Sequence, residues 1–167
     1  MLSSSKNIFI KRIMFIVQHY NPDKYWKRRS IVINPNNKTI IIIKLYFLYY
    51  IKRCDSYACA SMGTDLNKGA YFKTVPHLPH HLNGIIISPN AKIGSNCTIF
   101  QQVTIGQSSN GKAPQIGDNV LIGAGAKIIG DIIIGNNVKI GANCIVVENI
   151  PNNTTVVLNK PRILNSK

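Results

Sequence analysis

Acidic side chains are scarce in this chain: 6 Asp and Glu stand against 20 Lys and Arg, a formal net charge of +14 over 167 residues. The imbalance is local. Residues 1–53 hold eleven basic residues and one acid, Asp23, while the rest holds nine basic and five acidic. Cysteines number four, at positions 54, 59, 97 and 144. That pattern excludes a disulfide framework. The C-x4-C of Cys54 and Cys59 has no second pair, so it does not build a zinc site. Long apolar runs are absent. The longest, Ile40–Ile51, contains Lys44 and is closed by Lys52-Arg53, whereas a spanning helix needs about 20 apolar residues. Near the N-terminus, Ile8, Phe9 and Ile10 are cut off by Lys11 and Arg12 with no small-residue cleavage site after them, so no signal peptide is expected. These absences together lead to the expectation of a reduced, cytoplasmic setting.

What is present is a period of six. Ile87, Ile93, Ile99 and Ile105 stand six apart, as do Ile116, Ile122, Ile128, Ile134, Ile140 and Val146. A second small or apolar residue sits two positions earlier: Ala91, Cys97, Val103, Pro114, Val120, Ala126, Ile132, Val138 and Cys144. Residues i−2 and i face one way only on a β-strand. On a helix, six residues at about 100° each would carry the apolar position around the axis. Gly follows at positions 94, 106, 117, 123, 135 and 141, where the chain must turn without a Cβ in the way. Short strands and corners at a fixed period wind into a parallel β-helix whose coils stack. Cys97 and Cys144 fall at inward positions and read as core.

The chain divides into a basic helical segment, residues 1–62, a β-helix, residues 63–150, and a closing cap and tail, residues 151–167. Asn21-Pro22-Asp23 predicts a helix start, with Pro in the first turn and an acid on the positive end of the dipole. Residues 39–60 predict a second helix, with Gly63 as its C-terminal cap. From Ile105 to Ile116 is eleven residues, not a multiple of six. The excess, Gln107–Pro114, is polar and predicts a loop leaving one corner, a common place for a binding edge. His81 is the candidate for chemistry, six residues before Ile87 and so expected in phase with the repeat.

His81-Leu-Asn-Gly84-Ile-Ile-Ile87, Ile99-Phe-Gln-Gln-Val-Thr-Ile-Gly106 and Ile122-Gly-Ala-Gly-Ala-Lys-Ile128 resemble the hexapeptide-repeat acyltransferases. Within these they are similar to the serine acetyltransferase group and its capsular-polysaccharide O-acetyltransferase relatives. The resemblance runs from about Gly63 to Ile163. It implies a mainly β fold, a left-handed parallel β-helix preceded by a short N-terminal helical segment; the hand comes from the resemblance alone, since crossovers are ordinarily right-handed. It implies transfer of an acetyl group from acetyl-CoA to a hydroxyl, with His81 as general base, a role suited to imidazole near neutral pH. Asp65, one coil earlier, is the acid expected to orient that ring. Gly106, Gln107, Ala124 and Ala142 would bind the pantetheine arm through the backbone, with Lys139 near the nucleotide phosphates. His80 and Lys112 would face the acceptor.

The resemblance also implies a homotrimer with active sites between subunits. No metal is called for. The hexads contain no His, which excludes a carbonic anhydrase built on distributed His ligands. L-serine is the acceptor implied by overall motif similarity. A sugar hydroxyl of a surface polysaccharide is the alternative, because Lys112-Ala113-Pro114 stands where the serine enzymes carry Arg-His-Pro, and His80 where they carry Asp. A non-catalytic binding solenoid is the third reading. No nucleic-acid motif accompanies the basic N-terminal segment, which reads as a solvated face with weak association to a membrane surface as its other use.

Overall fold

The computed structural model describes residues 8–17 and 19–159. Three helices come first: α1 (Ile8–Val17), α2 (Pro22–Ile33) and α3 (Ile41–Tyr57). The Oδ1 of Asn21 accepts the Lys24 amide at 3.1 Å, with Pro22 opening the first turn of α2. This is an N-cap that satisfies one orphan donor. The helix expected over residues 39–60 is α3. It ends earlier than Gly63, however. Cys59 takes the left-handed conformation (φ 49°) and Ala60 N–H donates to Asp55 O at 2.8 Å, so a Schellman-type end forms around Cys59. Gly63 serves a different purpose: at φ 57°, a Cβ there would come 2.8 Å from the carbonyl oxygen of Ile87.

A small antiparallel hairpin follows, β1 (Thr64–Asp65) with β2 (Lys68–Gly69). Twelve short strands then wind the solenoid: β3 (Tyr71–Phe72), β4 (Ile86–Ile87), β5 (Lys92–Ile93), β6 (Thr98–Ile99), β7 (Thr104–Gly106), β8 (Gln115–Ile116), β9 (Leu121–Ile122), β10 (Lys127–Ile129), β11 (Ile133–Ile134), β12 (Lys139–Ile140), β13 (Ile145–Val146) and β14 (Thr155–Val156). They form three parallel four-stranded faces. Face one is β4-β7-β10-β13, face two β3-β5-β8-β11, and face three β6-β9-β12-β14. Ile87 pairs with Ile105, Ile105 with Ile128, and Ile128 with Val146. Each coil therefore stacks its inward aliphatic on the one below, in a left-handed β-helix. All ten inward hexad positions are buried, the most open being Ile116 at 5%. Burying a side chain of this size contributes about 1.5–3 kcal/mol.

The hexad glycines have a specific reason. Most have ordinary φ angles; what they permit is close approach between coils. A Cβ on Gly123 would come 2.6 Å from the amide nitrogen of Ala142. The left-handed corner positions instead go to asparagine. Asn96, Asn119, Asn137 and Asn153, with φ between 54° and 59°, stack along the corner between faces two and three. Their amides bond in series, Asn96 to Asn119 at 3.4 Å, Asn119 to Asn137 at 3.1 Å, and Asn137 to Asn153 at 2.9 Å. Asparagine tolerates this conformation better than other residues with a Cβ.

The helices dock on the first coil through polar groups. Arg29, 2% exposed, donates to Thr64 Oγ1 (2.9 Å), Ala70 O (2.7 Å), Met62 O (3.1 Å) and Gly63 O (3.4 Å). Its guanidinium also lies over Phe72 and Trp26. Burial lowers its pKa to about 10. Lys44, 4% exposed, donates to Asn34 O and Asn67 Oδ1. Among the described residues no helix is long and apolar enough to cross a membrane. Of the expected cap at 151–167, β14 is seen; residues 160–167 lie outside the described residues.

Candidate active site

His81 lies on a corner, and its register differs from the expected one. His77 bridges Thr98 in parallel, which makes Leu78 the counterpart of Ile99 on face three. From Leu78 to Ile87 is nine residues where the other coils use six. The extra three form a second tight turn. His81 (φ 54°) closes the first turn, its amide donating to Leu78 O at 3.1 Å, and Gly84 (φ 64°) closes the second. The H-x-x-G spacing is thus a doubled corner, and His81 leaves the strand phase because of it. Gly84 is required twice over, by its φ and because a Cβ would meet Gln102 Cγ at 3.1 Å.

The His81 ring is half-buried. Tyr20, from the connection between α1 and α2, sets its ring edge against it, with centroids 5.5 Å apart. Tyr20 Oη accepts Trp26 Nε1–H at 3.1 Å. Desolvation, and to a lesser degree neighbouring His80, lowers the His81 pKa below the usual 6.5. The imidazole is therefore neutral near pH 7, the state a general base must be in. Tyr20 had no local signal in the sequence, since it is distant in the chain and its loop carries no motif.

The resemblance implies Asp65 as the acid that orients this ring. In the structure Asp65 accepts a bond from Lys52 Nζ at 3.3 Å, both side chains about half exposed. Among the described residues no hydrogen bond joins it to His81. The buried acid of the helical segment is Asp55, 3% exposed, which accepts Tyr25 Oη–H at 2.6 Å. Burial raises its pKa to about 6.

Ala124 and Ala142 stand on the same corner as His81, between faces three and one. The column of corner residues there is Gly84, Gln102, Gly125 and Asn143, each three before an inward residue of face one. Ala124 and Ala142 immediately precede the last two. At about 4.8 Å per coil they lie roughly 10 and 14 Å along the axis from the His81 coil. Their N–H groups find no acceptor within the chain among the described residues, leaving two aligned donors on one edge. This suits an extended acceptor-bearing chain such as a pantetheine arm. Lys139 points out from β12 of face three. Gly106 ends β7, and a Cβ there would meet only side-chain atoms at 3.5 Å or more.

The loop from Gln107 to Pro114 leaves a different corner, between faces one and two. It is pinned rather than loose. Gln107 Oε1 accepts from Ser88 Oγ at 2.9 Å and Asn90 Nδ2 at 3.3 Å, and Asn90 Nδ2 also donates to Gly111 O at 2.8 Å. Lys112 Nζ is paired with Asp131 at 2.7 Å. Ala113 is buried, 7% exposed, and faces the core. His80 is exposed, its ring 6.1 Å from that of Phe100. Within one chain, then, the structure brings together His81, His80 and the Ala124–Ala142 edge. It does not bring the loop to them.

A triangular prism of stacked hexads with one histidine-bearing doubled corner is a hexapeptide-repeat β-helix. The comparisons agree. The family described as bacterial transferase hexapeptide (six repeats) matches residues 113–147. The serine acetyltransferase of Staphylococcus epidermidis is 44% identical over 98 residues, 57% of this chain and 46% of that protein. The chloroplastic serine acetyltransferase 1 of Arabidopsis thaliana is 43% identical over 111 residues, 64% of this chain and 35% of that protein. Among solved structures, serine acetyltransferase isoform 3 of Entamoeba histolytica, in complex with cysteine, superposes with TM-score 0.63 at 35% identity, covering 74% of this chain and 43% of its own. That of Neisseria gonorrhoeae, in complex with serine, gives 0.57 at 36% identity, covering 71% and 48%. Over its solenoid the chain is similar to hexapeptide-repeat transferases and, among them, to serine acetyltransferases. It spans less than half the length of these curated relatives.

Proposed function

We propose that this chain is an acetyl-CoA-dependent O-acetyltransferase, and that its acceptor is L-serine, giving O-acetylserine for cysteine synthesis. The observation that carries the reading is the shared edge: a neutral, half-buried imidazole on the same solenoid corner as two unpaired backbone donors. Acetyl-CoA supplies the activated acetyl group as its thioester. Neutral His81 takes the proton from the attacking hydroxyl as its oxygen bonds to the thioester carbonyl. The tetrahedral centre then collapses, the C–S bond breaks, and the CoA thiolate leaves and takes back the proton. No covalent enzyme intermediate is needed. A positioned general base of this kind contributes roughly 10²–10⁴-fold.

The working form is a homotrimer. His81 and the Gln107–Pro114 loop sit on different corners of one prism, so only a neighbouring subunit can set the loop beside the histidine. Exposed apolar side chains on the outer surfaces, among them Ile133 at 57% and Ile145 at 69%, give such neighbours something to cover. The setting is cytoplasmic.

A sugar hydroxyl is the second reading, favoured by two observations. Lys112 is already paired with Asp131, and Ala113 is turned into the core, so neither offers a group to an amino acid's carboxylate. Release of CoA from acetyl-CoA in the presence of serine, against a panel of mono- and oligosaccharides, decides between them. Turnover with serine alone supports the first, turnover with a sugar alone the second. No turnover with any acceptor, together with no binding of acetyl-CoA, rejects both.

A further inference from the structure

The helical segment contains a cavity of about 660 Å³. It opens between α1, α2 and α3, and four cations reach it: Arg12, Lys24, Arg28 and Arg53. Tyr46 and Tyr50 form an aromatic side. Among the described residues no Asp or Glu lines it. Among the described residues, none of the four cations has a carboxylate within ion-pair distance. Four like charges around one hollow repel each other unless an anion joins them. Arg28 is held against aromatic rings. Its guanidinium lies 4.1 Å from the centre of the Tyr50 ring and 5.8 Å from that of Tyr46. A guanidinium over aromatic faces gains cation–π attraction, and its planar fork of N–H donors is suited to grip two oxygens of a phosphate.

We propose that this pocket is a binding site for a phosphomonoester, with the phosphate among the arginines and lysine and the organic part against Tyr46 and Tyr50. The volume supports an organic body in addition to the phosphate, since it falls within the usual range of roughly 300–1,000 Å³ for small-molecule sites. Tyr20 borders both this pocket and the His81 ring, but the pocket's existence does not depend on the acetyltransferase reading. A soluble sugar phosphate and the headgroup of phosphatidic acid share this chemistry.

Calorimetric titration of the full chain with inorganic phosphate, glucose 6-phosphate and glucose, at matched ionic strength, tests the site. Sedimentation with vesicles of phosphatidylcholine, with and without one part in five of phosphatidic acid, tests the lipid source. Lys24 and Arg53 are exposed, so Lys24→Gln and Arg53→Gln retain the fold, which circular dichroism checks. Glucose 6-phosphate binds and glucose does not, and each substitution weakens binding by roughly tenfold, the worth of one charge-assisted hydrogen bond. Sedimentation confined to the phosphatidic acid vesicles and lost in the variants identifies the headgroup as ligand and equally supports the site. No binding of any phosphate-bearing probe, or binding unchanged in both variants, overturns it.

Discussion

In the solenoid every inward isoleucine repeats one made a coil earlier, so the same contact is formed again and again. In the helical segment each anchoring contact is made once. Arg29 holds α2 to the first coil through four acceptors that no other side chain reaches. Repetition makes the solenoid tolerant and readable; single anchors make the helical segment fragile and hard to foresee. The site draws on both. The doubled corner comes from the solenoid, and the ring that packs on His81 comes from the helical segment.

Breaking that single anchor should give the largest change in stability. Arg29→Ala leaves buried carbonyls without a donor and is expected to cost about 3–5 kcal/mol in denaturant unfolding. Asp55 gives the next effect, through pH. Its folded pKa of about 6 lies above the ordinary 3.8, so its neutral form is favoured in the fold. The stability it contributes is complete below about pH 4 and is lost as pH rises through 6. The loss amounts to about 3 kcal/mol. Asp55→Asn should flatten that part of the stability–pH curve, and a variant with the same slope as the parent would remove this explanation. Within the repeating region, Asn119→Ala places a Cβ without a hydrogen-bonding amide at φ 58° and breaks the ladder on both sides. A loss of about 1–2 kcal/mol is expected. Asp65→Asn is the smallest. Its pair with Lys52 is half exposed, so stability in denaturant unfolding should change by no more than about 0.5 kcal/mol.

The prism was legible in the residues because a strand period and a coil period coincide in the hexads, and both are local. The excess residues between Ile105 and Ile116 also announced their loop. The Asn ladder had a visible sign, an asparagine three residues after an inward isoleucine at positions 96, 119 and 137, but its meaning depends on the left-handed corner. The register of His81 was misread because counting six back from Ile87 assumes a single corner. Arg29, Tyr20 and Asp55 could not be foreseen, since their partners lie far along the chain. Asp65 entered through the resemblance, and the Lys52 side chain that meets it in the structure has no signal in the residues around it.

The central claim is that the neutral imidazole of His81 takes the acceptor's proton. Measuring kcat/KM for CoA release against pH, in the parent and in His81→Ala, tests it most directly. The parent should show an acid limb with its midpoint below 6.5, in keeping with the lowered pKa of that ring. The variant should lose roughly 10²–10⁴-fold and the limb with it. A variant that keeps activity within roughly tenfold of the parent, with the same acid limb, would show that another group does the work.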